Sequence, residues 1–116
     1  MNSCRKGKRG ELEGRDKIIE MFGCEARRGQ QHAGGQDSPD VVHNIPGLHF
    51  EIKRCEKLLL YPAIEQAAKD AGENVPIVLH RRNHKPWLVI VYADDIERLR
   101  QVLNDWRIEQ YKKGGE

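Results

Sequence analysis

The chain has 116 residues, of which 38% are hydrophobic and 33% charged, and its formal net charge is +2. This length suits one compact domain with one core, and the clustering of apolar residues into periodic blocks excludes a disordered chain. A charge so near zero does not by itself announce a nucleic-acid partner. No apolar run approaches membrane-spanning length and the start, MNSCRKGKRG, lacks an apolar signal core, so a soluble, cytoplasmic protein without a membrane partner is expected.

In chain order, residues 1–9 read as a flexible basic arm, carrying Arg5, Lys6, Lys8 and Arg9 before any acid. A helix is predicted from about Gly10 to Phe22, stopped by Gly23 and interrupted at Gly14. CEARR (24–28) suggests a strand, and residues 29–38 a polar, glycine-bearing loop. A hairpin follows, with strands near 40–43 and 48–54. Pro62 to Ala71 reads as a second helix with Ile64, Ala67, Ala68 and Ala71 on one face and Gly72 just past its end. Residues 76–80 and 86–92 read as strands, the latter too apolar to be exposed on both faces. Asp94 or Asp95 can cap a final helix whose stripe is Ile96, Leu99, Val102, Leu103 and Trp106. That stripe suits either the core or an interface. Residues 10–112 thus form a single domain, with a frayed tail at 113–116. The expected class is α/β: one mixed sheet flanked by helices in the order α-β-β-β-α-β-β-α. Three cysteines without a CxxC pair argue against a disulfide framework or a structural zinc site.

The hairpin poses a chemical problem. Side chains alternate along a strand, so Leu48, Phe50 and Ile52 point one way and His49, Glu51 and Lys53 the other. With a loop over 44–47, His43 pairs with Leu48 and Asp40 lies opposite Glu51; with a tight Pro46-Gly47 turn, Asp40 faces Lys53. The longer loop is preferred, because an L-Pro-Gly type II turn twists badly for a tight hairpin. In both registers Asp40, Glu51 and Lys53 share a face. Two opposed carboxylates need a proton, a salt bridge or a cation between them. Mg²⁺ suits such oxygens, and a lysine one pleat away can meet a phosphate or orient water, which is the minimal kit for metal-assisted phosphodiester hydrolysis. The alternative is a solvent-facing cross-pleat ion pair.

The first helix adds a third acid. At about 100° per residue, Glu11 lines up with Ile18 and Phe22 in the apolar stripe, whereas Glu13 falls on the polar side with Lys17 and Glu20. A carboxylate there needs a partner: a metal, a proton, or an i,i+4 pair with Arg15.

Pro39-Asp40, ten residues, then Glu51-Ile52-Lys53 within this element order resembles the PD-(D/E)XK nuclease superfamily. KGKRGELE (6–13), RRGQQ, SPDVV, IKR and HRRN followed by Trp87 resemble its Holliday-junction resolvase-like branch of archaeal and phage type. The resemblance spans roughly residues 6–97 and implies a restriction-endonuclease-like core. It implies Asp40, Glu51 and the Ile52 carbonyl as Mg²⁺ ligands, with Mn²⁺ as substitute. Lys53 would position or activate water, Glu11 would be the helix carboxylate near the metal, and Gln66 an accessory residue on the second helix. The stretch from Glu11 to Gly23 is about a residue longer than usual, which keeps Glu13 as a rival to Glu11. The expected partner is branched DNA, a four-way junction, cut by a homodimer; if phage-encoded, it would act in the host cytoplasm. Arg27, Arg28, Gln30, Gln31, Arg81 and Arg82, with Arg5, Lys6, Lys8 and Arg9, are the expected DNA contacts, with ordinary surface polarity as the alternative.

Overall fold

A computed structural model describes residues 7–29 and 40–114. The elements are α1 (Lys8–Phe22), β1 (Ala26–Arg28), β2 (Val41–His43), β3 (Leu48–Arg54), α2 (Leu60–Ala71), β4 (Val75–Arg81), β5 (Leu88–Ile90) and α3 (Ile96–Gly114), the last entered through a 3-10 turn at Ala93–Asp95. The order is the expected one, but helix α1 takes in Lys8 and Arg9, and α3 runs on to Gly114. Helix α1 ends at Gly23, whose φ of 66° is the left-handed conformation that favours glycine, and whose N–H bonds the Ile19 carbonyl at 2.8 Å.

The strands form two sheets rather than one. β3, β4 and β5 make a mixed three-stranded sheet, β3–β4 parallel and β4–β5 antiparallel, while β1 and β2 pair antiparallel by themselves. The predicted β2–β3 ladder is replaced by side chains. The His43 ring bridges the connection, with Nε2 3.0 Å from the Leu48 carbonyl and Nδ1 accepting the Ile45 N–H at 3.0 Å. Further along, the Asp40 carboxylate occupies the edge of β3.

Parity divides the three-stranded sheet into two faces. Leu48, Phe50, Ile52, Ile77 and Leu79 join Ile18, Val41 and Trp106 in the larger core. On the other face Val78 packs against Ile64 and Ala67 of α2. Trp106 is buried in this larger core with Leu99, Val102 and Leu103 packed beside it, while Ile96 of the same stripe is exposed. Strand β5 departs from its expected burial: Leu88 and Val89 are exposed, because α1 and α2 pack on β3 and β4 and leave these two residues uncovered. Cys24 is a free, buried thiol whose pKa burial pushes up. Cys55 is disulfide-bonded, which the cysteine count argued against.

The approach of α1 to β3 depends on two glycines. A Cβ at Gly14 would lie 2.6–2.9 Å from three side-chain carbons of Ile52, and one at Gly10 would lie 2.8 Å from Arg54 Cβ. Gly14 therefore does not interrupt the helix, which is continuous through it. Its missing side chain lets the helix lie directly on the strand.

Candidate metal and nucleic-acid site

Three buried acids from different elements lie near Ile52. Asp40, just before β2, is 1% exposed, and its Oδ2 accepts the Ile52 N–H at 2.9 Å. It stands opposite neither Glu51 nor Lys53, as the two ladder registers required, but reaches the amide between them. In an extended strand the N–H and C=O of one residue point to the same edge, so the Ile52 carbonyl faces the Asp40 side. Glu51 is 3% exposed, on the α2 face of β3. Lys53, two residues on, shares that face at intermediate exposure.

Glu11 reaches the same region from α1. It is 3% exposed, and its Oε1 accepts a charge-assisted hydrogen bond from Arg28 Nε at 2.6 Å. The anticipated i,i+4 partner, Arg15, instead pairs with Asp16 at 2.8 Å. Glu11 Oε2 is buried with no hydrogen-bond partner among the described residues. Glu13 is half-buried and turns toward β3 and β4, 2.9 Å from Arg54 Nε and within 4 Å of Arg9 and Arg81, instead of lying on the solvent side with Glu20 as its helical phase suggested. Between the two acids a cavity of about 270 Å³ opens, bordered by Arg9, Gly10, Ile52, Arg54 and Asn83.

The remaining candidates disperse. Gln66 is exposed on α2 and donates to Asp70 Oδ1 at 3.0 Å. Arg27 is exposed, whereas Arg28, about a third exposed, pairs with Glu11. Arg81 donates to the Lys85 carbonyl at 2.7 Å, and Arg82 is exposed beyond the strand end. His80 turns inward, 2.9 Å from the Cys55 carbonyl. Lys8 and Arg9 are exposed on the first turn of α1. Arg5, Lys6, Gln30 and Gln31 lie outside the described residues.

The one trio of metal-capable side chains that converges among the described residues was not anticipated. His49, Glu51 and Asp70 bring one ligand atom each to within 4.8 Å of one another, and His49 Nε2 is 3.2 Å from Glu51 Oε1. These three residues could hold a metal ion. Glu11, Asp40 and Glu51 do not form so tight a group among the described residues. His49 was visible in the sequence, since it shares parity with Glu51. Asp70 was not, since it reads as an ordinary polar position on α2.

By donor type alone, the buried carboxylates of Asp40 and Glu51, the Ile52 carbonyl and the unsatisfied Oε2 of Glu11 are oxygens of the kind a hard cation takes, although they do not converge as the His49 trio does. No family model matches this chain, and comparison with curated proteins returns no match.

Proposed function

We propose that the chain is a Mg²⁺-dependent DNA endonuclease of the PD-(D/E)XK type, with a restriction-endonuclease-like core, cutting four-way junctions as a homodimer. One observation carries the reading. Three buried acids lie near Ile52: Asp40 accepts its N–H, Glu51 precedes it in β3, and Glu11 lines a cavity with it. Burying a carboxylate is costly unless it is paired, protonated or bound to a cation. Arg28, the Ile52 amide and His49 offset part of that cost, while the buried Oε2 of Glu11 has no partner among the described residues, which supports a ligand here.

Asp40 and Glu51, with the Ile52 carbonyl, would hold the ion, and Mn²⁺ would substitute. When bound, the metal polarises the phosphodiester and lowers the pKa of its water. Lys53 positions the attacking water and offsets phosphate charge. Glu11, anchored by Arg28, orients groups at the open side. Lys8, Arg9, Arg27 and Arg82 supply exposed positive charge for the DNA backbone. A homodimer follows because two symmetric cuts need two sites.

A non-catalytic DNA-binding module is the second reading. It is favoured by the structural employment of two acids, Glu11 with Arg28 and Asp40 with the Ile52 amide. The test is an assay on a synthetic four-way junction beside linear duplex, flap and single strand, with Mg²⁺ and with chelator. Metal-dependent cutting of the junction in preference to the others is expected. Equal cutting of all substrates removes the resolvase assignment but leaves another nuclease of this type, nicking, restriction-like or replication-repair. Retention of DNA without cutting favours the binding module.

A further inference from the structure

We propose that His49, Glu51 and Asp70 form a binding site for a zinc-class transition-metal ion that clamps α2 onto β3. His49 and Glu51 are two residues apart on one strand, so their side chains emerge side by side on the α2 face. Asp70 comes from the last turn of α2. Around a shared ion at zinc's bond lengths, donor atoms stand about 3.0–3.5 Å apart. The His49–Glu51 separation of 3.2 Å already meets this, and the third donor lies within 4.8 Å. Asp70 is exposed, so rotation of its side chain can close the remainder.

The donor set also selects the ion. One imidazole nitrogen and two carboxylates favour zinc, cobalt or manganese over magnesium, which prefers oxygen alone. Three protein ligands leave a fourth position for water. His49 and Glu51 are nearly buried while Asp70 faces solvent, so an ion would enter from the Asp70 side and then hold helix to strand. Gln66, which donates to Asp70 Oδ1, is placed to orient that ligand from outside. The site shares Glu51 with the region around Asp40 but does not require the chain to cut DNA.

The test uses the full chain, stripped with chelator and titrated with Zn²⁺ by calorimetry and with Co²⁺ by visible absorption. One equivalent is expected, with a rise in melting temperature that chelator reverses. H49Q and D70N should each weaken zinc binding at least tenfold and remove the thermal rise, whereas D40N should leave both unchanged. Asp70 is at the surface, so D70N tests the site even where H49Q fails to fold. No zinc binding by the unaltered chain, or binding that D70N leaves untouched, overturns the proposal. Because D40N removes the proposed cleavage and D70N the proposed zinc site, failure of either idea is read separately.

Discussion

Glu11 and Arg28 are 17 residues apart in sequence and 2.6 Å apart in space, and their stability roles are unequal. Arg28 is about a third exposed, while Glu11 is buried. Removing the arginine strands a buried carboxylate, so Arg28→Ala should cost about 1–3 kcal/mol by denaturant unfolding. Glu11→Gln should cost less, since the amide oxygen can still accept from the guanidinium. Asp40→Asn keeps an acceptor for the Ile52 N–H, so its circular dichroism and melting temperature should match the parent. Its Mg²⁺-dependent cleavage should fall by at least about 100-fold, as should that of Lys53→Ala. Unchanged cleavage in Asp40→Asn would remove the metal role given to that residue. His43 supplies a pH dependence. Burial lowers its pKa below the ordinary 6.5, against the opposing effect of its bond to the Leu48 carbonyl. Well above 6.5 neither folded nor unfolded chain protonates it. As pH falls below that value the unfolded chain takes a proton that the folded chain refuses, and stability is lost through the lowered folded pKa. The melting temperature should therefore fall as pH drops through about 6.5 and below, and His43→Asn should flatten the fall.

The helix–strand contact is decided by absence of side chain. Alanine is the better helix former by about 1 kcal/mol. At position 14, however, its Cβ would meet three carbons of Ile52 at once, so no single rotation relieves the clash. Gly14→Ala should destabilise the fold by about 1–3 kcal/mol despite its helix propensity, measured by chemical denaturation. A gain in stability would mean that α1 can lift off β3 without cost. Such facts set what could be read beforehand. The end of α1 at Gly23, the alternation in β3 and the apolar face of α2 are local consequences of residue type and period, and they were legible. The purpose of Gly14 was not, because it belongs to a neighbour 38 positions away in the sequence. Likewise Glu11 found Arg28 instead of Arg15, since tertiary proximity overrode the nearer i,i+4 option. The direction of Trp106 was left open by its stripe and settled by packing. Asp70 became notable only when α2 lay across the sheet.

Across the whole molecule, the break between the two sheets falls where the acids gather. A continuous sheet would have used the β3 edge amides for a backbone ladder. Here a carboxylate takes that role at Ile52, leaving the acid beside the strand instead of on the far side of a neighbour. The homodimer reading is also tested at this scale. Sedimentation at micromolar concentration should give about twice the mass of one chain, and a monomer would count strongly against the two-cut resolvase. The hydrogen bond to Ile52 has a further use. Its proton is covalently fixed to the backbone yet electrically coupled to the Asp40 carboxylate through one contact of 2.9 Å. In an ¹⁵N-labelled sample, the Ile52 amide resonance is thus a built-in gauge of what Asp40 holds. It should move on titration with Mg²⁺ while amides of α3 stay still, reporting ligation without any DNA being cut.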